Sequence, residues 1–129
     1  MASDMESSYG IYKNGELAKI VAINMHGYNT TVDGAGTQPL PNPDPRPARS
    51  FEFTVPSSWA GKEVGVQWLM ANGSDAITGV TFDGWSYNYE LDNGKPVKLD
   101  NVTTGDTLKA GEVLKLSVPD SSAALLTLL

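Results

Sequence analysis

Trp85, Tyr87 and Tyr89 alternate with Ser86, Asn88 and Glu90, a period-two pattern of rings and polar groups. In an extended strand that spacing puts all three rings on one face. Such a stripe fills a core, docks a partner, or stacks on flat sugar rings. Inward packing against Phe51, Phe53 and Trp68 is the default, because each large ring removes much apolar area from water. Contact with a neighbouring domain and an exposed sugar platform are the alternatives. Trp59, in the loop sequence Pro56-Ser57-Ser58-Trp59-Ala60-Gly61, is a further candidate for sugar stacking. A loop Trp is more commonly a plug at the end of a β-sandwich.

Acid–base chemistry on a sugar needs two carboxylates facing each other across the bond. The chain has six Glu: Glu6, Glu16, Glu52, Glu63, Glu90 and Glu112. All but Glu90 lie at turns, termini or the outer faces of strands, and Glu90 continues the polar side of the aromatic run. Most Asp residues occupy turn positions such as Asp83-Gly84 and Gly105-Asp106, without the spacing of a calcium loop. His26 is the only histidine and there is no cysteine, so no second soft ligand exists to share a metal. No nucleophile elbow, P-loop or dinucleotide fingerprint occurs. No catalytic residue, metal or cofactor is expected.

The elements that position these groups read as strands. Ser8 to Lys13 runs into Asn14-Gly15, a strong hairpin dipeptide because both residues tolerate positive φ. Leu17 to His26 is the return strand. Phe51, Phe53 and Val55 alternate with polar residues, as do Val64, Val66, Trp68 and Met70, and then Leu114, Leu116 and Val118. An aromatic strand over 85–91 ends at the turn Asp92-Asn93-Gly94, and Ala123 to Leu129 closes the chain. With 13 glycines and no amphipathic helix, this predicts an all-β fold, an antiparallel β-sandwich of about seven to nine strands. Residues 1–7 are expected as a disordered tail before one domain over 8–129. Within it, 27–48 is a long loop with proline at every second position from Pro39 to Pro47, biased to polyproline II.

Two strands are apolar on both faces. Leu17, Val21, Ile23 and Met25 are matched by Ala18, Ile20 and Ala22, and the final Ala123-Ala124-Leu125-Leu126-Thr127-Leu128-Leu129 is similar. A two-layer sandwich buries only one face of each sheet. A further layer over the second face is therefore expected: a loop or short helix of the same domain, or a second domain or subunit.

Composition narrows the partners. The chain has 129 residues, the size of one ordinary domain, and a formal charge of −6, which disfavours nucleic acid and anionic membranes. No apolar run is long enough to span a bilayer, and the first residues do not form a signal peptide. Asn29-Thr30-Thr31, Asn72-Gly73-Ser74 and Asn101-Val102-Thr103 fit the N-glycosylation acceptor pattern, a hint of secretion.

The opening hairpin Tyr9-Gly10-Ile11-Tyr12-Lys13-Asn14-Gly15-Glu16-Leu17-Ala18-Lys19, followed by Val21-Ala22-Ile23-Asn24-Met25, resembles one particular module. So do Arg49–Val55, Val64–Leu69, Ile77–Tyr87 and the ending Val118–Leu126. The module is the C-terminal β-domain of family 79 glycoside hydrolases, the β-glucuronidase and heparanase-like group. The resemblance implies a β-sandwich packed beside a catalytic (β/α)₈ barrel, with both catalytic glutamates in the barrel. It also implies a secreted setting. No barrel, and no Asn-Glu dipeptide of the kind that marks the acid/base glutamate in related barrels, is found here, so no catalytic residue carries over. A chain starting at Met1 without either is read as an excised piece, a truncated gene product or a free-standing relative.

The resulting expectation is a non-catalytic accessory domain of a β-glucuronidase-like enzyme, docking on its barrel through strands 17–25 and 123–129. A carbohydrate-binding module using Trp85, Tyr87, Tyr89 or Trp59 is the alternative. Its electrostatics are awkward toward uronate polymers, given the acidic chain. A free-standing enzyme would require a convergent carboxylate pair.

Overall fold

Asn14 and Gly15 both adopt positive φ, 54° and 78°, as a two-residue hairpin turn of the primed type demands. They join β1 (Glu6–Lys13) to β2 (Glu16–Asn24) in antiparallel register, with one irregularity between Ile11 and Tyr12. The computed structural model describes residues 4–129. Of the tail expected over 1–7, residues 1–3 lie outside the described residues. Glu6 and Ser7 are not tail: they open β1, paired with Asn24 and Ile23.

The remaining strands are β3 (Ala48–Thr54), β4 (Glu63–Met70), β5 (Thr81–Phe82), β6 (Trp85–Ser86), β7 (Val97–Lys98), β8 (Asp106–Lys109), β9 (Val113–Pro119) and β10 (Ser122–Leu128). Among the described residues ten strands stand where about seven to nine were expected, the short β5, β6 and β7 having only two residues each. An eight-stranded sheet runs β1-β2-β10-β4-β5-β6-β7, with β8 also paired to β4, and a two-stranded sheet β3-β9 lies across it. The all-β sandwich is therefore present but lopsided.

Strand alternation explains the core. Ile20, Leu126 and Val66 are direct partners across β2, β10 and β4, and all three are buried. They face Leu114, Leu116 and Val118 of β9, with Phe51 and Phe53 of β3 half-buried at the margin. Trp59, in the 3₁₀ turn Ser57–Trp59, has no solvent exposure. Its Nε1 donates to the Leu17 carbonyl at 3.0 Å, so the ring closes the sandwich end as a plug. Burial removes Trp59 from the sugar-stacking candidates.

The expected strand over 85–91 is corrected. Only Trp85 and Ser86 remain in the sheet. The backbone N–H of Asn88 donates to Ser86 Oγ at 3.3 Å, a local bond that competes with ladder pairing and pulls the chain out of line. A single helical turn, α1 (Tyr89–Asp92), follows and ends at Asn93 with φ 51°. The return strand likewise stops at Asn24 rather than His26, because Asn24 Oδ1 accepts the His26 N–H at 3.0 Å and turns the chain.

Polar anchors hold the loops. Asn24 is buried, and its Nδ2 donates to the Val118 carbonyl at 3.0 Å and to Asp120 Oδ1 at 2.9 Å. Arg49 Nε reaches the same Asp120 oxygen at 3.3 Å. Burial raises the Asp120 pKa, but hydrogen bonds from Asn24 and Arg49, with Arg49 and His26 nearby, outweigh it and hold the carboxyl below its ordinary value. In the 27–48 connection, Asp75 accepts the N–H groups of Thr30 and Thr31 and the Thr31 hydroxyl, tying that excursion to the 72–78 turn.

Candidate functional site: the outer face of the large sheet

Residues directly opposite each other on paired strands share a face. The pairings chain Ile23 to Ala123, Ala123 to Leu69, Leu69 to Phe82, Phe82 to Trp85, and Trp85 to Lys98. One row thus crosses six strands, about 24 Å at the ordinary inter-strand spacing. A parallel row links Tyr9, Val21, Leu125 and Gln67. Both rows point away from the β3-β9 layer, since their neighbours along each strand, such as Ala22, Ala124 and Val66, are the buried core.

This outer face is apolar and open. Tyr9 is 61% exposed, Met25 50%, Leu69 45% and Trp85 42%, with Phe82 also exposed. A dent of about 460 Å³ interrupts it, lined among others by Ile23, Met25, Leu69, Val80 and Ala123. Lys98 Nζ sits 5.4 Å from the Trp85 ring centroid and caps the far end of the row. Exposed apolar side chains are common singly, whereas a contiguous row of them marks an interaction surface.

The structure splits the sequence candidates. Trp85 belongs to the outer-face row, continuous with the doubly apolar strands. Tyr87 and Tyr89 lie beyond the sheet, 63% and 75% exposed, and the three rings share no strand face. Inward packing of the stripe against Phe51, Phe53 and Trp68 is thereby overturned. Beside the tyrosines, Glu90 Oε1 accepts from Asn88 Nδ2 at 2.9 Å and from the Thr78 hydroxyl. Those hydrogen bonds, Thr78 first and Asn88 second, lower the Glu90 pKa, the opposite of what a general acid requires.

Other ionisable groups are structural in their contacts. His26 Nε2 lies 3.6 Å from Glu6 Oε2, and Lys115 Nζ lies 3.4 Å from Glu52 Oε1. Among the described residues no cluster of three His, Asp or Glu side chains is placed to hold a metal. Among the described residues no helix is long and apolar enough to cross a membrane. Asn29, Asn72 and Asn101 are all exposed.

Sequence reasoning missed the continuation of the apolar face into β5 and β6. Phe82 and Trp85 join it only because the Asp83-Gly84 turn, with φ 51° and 79°, folds them side by side. The Asp83-Gly84 dipeptide was the available signal.

Residues 8–125 match the model described as "Glycosyl hydrolase family 79 C-terminal beta domain". A β-glucuronidase of Aspergillus niger is 46% identical over 133 residues, covering 99% of this chain and 24% of that protein. A β-glucuronidase of Neurospora crassa is 52% identical over 105 residues, covering 75% of this chain and 19% of that protein. The chain therefore spans a quarter or less of the length of these relatives. A crystal structure of a 4-O-α-L-rhamnosyl-β-D-glucuronidase from Fusarium oxysporum superposes with a TM-score of 0.70 at 19% identity, covering 95% of this chain and 23% of that one. At that identity the likeness concerns the fold.

Proposed function

We propose, from the premise that this chain belongs to glycosyl hydrolase family 79 as its C-terminal beta domain, that it is a non-catalytic domain which docks on the catalytic (β/α)₈ barrel of a β-glucuronidase-like enzyme and stabilises it. The observation that carries this reading is the apolar row from Ile23 to Trp85, in which Leu69, Phe82 and Trp85 are exposed. A sheet with one face on its own core and a continuous apolar row across its second face needs a second layer there. The relatives are four to five times longer than the match, so a polypeptide large enough to supply that layer accompanies this domain in them. Glycoside cleavage belongs to the barrel, and this chain contributes no catalytic residue.

The same setting makes the domain part of a secreted glycoprotein, for which the exposed Asn29, Asn72 and Asn101 are acceptor positions. A second reading, glycan binding outside the docking face, rests on the exposed Tyr87 and Tyr89 beside Asn88 and Glu90.

The test is a thermal melt of the chain with and without the part of the Aspergillus niger relative that lies outside the match. A rise in melting temperature, lost in Leu69→Asp, is the expected result. No rise with the unmodified chain contradicts docking, and a rise that Leu69→Asp leaves intact contradicts the assigned face.

A further inference from the structure

A second concavity lies at the other side of β4, between the sheets, separated from the dent in the docking face by the shared wall Met70 and Ala71. It has a volume of about 450 Å³, within the range of small-molecule sites, and is lined by Trp68, Thr81, Asp106, Arg46, Asn72 and Asn101 among others. Three observations define its chemistry. First, Thr81 is 1% exposed, and its Oγ1 has no hydrogen-bond partner among the described residues. An orphan buried hydroxyl is costly unless something outside the chain completes it. Second, the indole Nε1 of Trp68 donates to Asp106 Oδ2 at 2.9 Å, which fixes an aromatic ring beside a carboxylate. Third, Arg46 commits three of its five N–H donors to the carbonyls of Asp120, Ala71 and Ser121, at 2.8, 2.8 and 3.0 Å. Those bonds fix it as a wall of the cleft.

A ring with apolar area, a carboxylate acceptor, two amides and an unsatisfied hydroxyl, with Arg46 and Asp106 cancelling in charge, suit a neutral polyhydroxylated ring. With one cation, Arg46, and one carboxylate, Asp106, in the lining, no net positive charge draws an anion, and an apolar ligand would leave the hydroxyl and amides unpaired. We infer that this cleft seats one neutral saccharide unit, with Trp68 against its apolar face and Thr81 and Asp106 on its hydroxyls. The sugar has two sources. Asn72 and Asn101 are themselves acceptor positions on the cleft rim, so an attached N-glycan and a free oligosaccharide present the same chemistry.

The experiment uses the chain in two forms, made in bacteria without glycans and secreted from yeast with them. The bacterial form is titrated with N,N′-diacetylchitobiose and with cellobiose, followed by amide and indole NMR shifts. Expected is saturable binding at about millimolar concentrations, with shifts centred on Trp68 and Thr81. Thr81→Val and Asp106→Asn, which preserve shape, should weaken it by about fivefold to tenfold. Tyr12→Ala, at the exposed end of β1 and away from the cleft, should not. Should only the attached glycan occupy the cleft, the secreted form alone shows a shifted Trp68 indole that reverts on enzymatic deglycosylation. Absence of both effects, or shifts centred on Tyr87 and Tyr89, overturns the inference.

Discussion

Trp59 and Trp85 are the same residue type with opposite structural roles, and truncating each gives opposite outcomes. Trp59 has no exposure, and its indole donates to Leu17 across the sandwich end. Trp59→Phe removes that donor, leaving a carbonyl less satisfied, for about 1–3 kcal/mol. The smaller ring forfeits about 1 kcal/mol more in buried area. Trp59→Ala should cost about 3–5 kcal/mol, a large part of the stability of a domain this size. Trp85→Ala removes a ring that is 42% exposed and touches Lys98, for about 1 kcal/mol or less in the isolated chain. Urea unfolding followed by far-UV circular dichroism measures all three without relying on the tryptophans themselves. A Trp59→Phe loss under about 1 kcal/mol, or a Trp85→Ala loss as large as that of Trp59→Ala, would refute the assignment of plug and outer face.

Three further outcomes follow from named contacts. The depressed pKa of Asp120 means its stabilisation is fully present above the unfolded carboxylate value, about pH 4, and is lost as pH falls through the lower folded value. Acid titration of stability should therefore show a steep limb below about pH 4 that flattens in Asp120→Asn. Asn24→Ala strips a buried carboxylate and the Val118 carbonyl of their donor, and should lower stability by about 2–3 kcal/mol in the same urea assay. Tyr87→Ala and Tyr89→Ala, both on exposed rings, should leave the melting temperature within about 2 °C, while abolishing any glycan binding that the second reading assigns to them.

Much of this fold was legible in local pattern. Asn14-Gly15 sets the first hairpin, and the alternations at 51–55, 64–70 and 114–118 set strands of the right face, because local spacing and burial agree there. The doubly apolar strands 17–25 and 123–129 carry the signal of a second apolar face in the sequence itself. What local pattern hid was governed by side-chain bonds and pairing register. Ser86 and Asn88 end a strand that ring spacing alone would extend to residue 91. Phe82 and Trp85 meet the apolar row through register with Leu69, thirteen or more residues away in sequence. Trp59 reads as a loop residue with a plug as its commoner role, and what the sequence leaves out is its partner, the Leu17 carbonyl across the sandwich. Asn24 occupies an inward strand position, and its polarity is explained only by Asp120, 96 residues later.

In the proposed arrangement the catalytic portion of a family 79 polypeptide covers the outer face. Hydroxyl-radical footprinting compares side-chain oxidation in the isolated chain and in the same chain joined to, or mixed with, that portion. Met25, Phe82 and Trp85 should fall in reactivity by about fivefold or more on association, while Tyr89, off the face, stays reactive. Unchanged oxidation of Met25, Phe82 and Trp85 in a demonstrably associated sample would contradict the account.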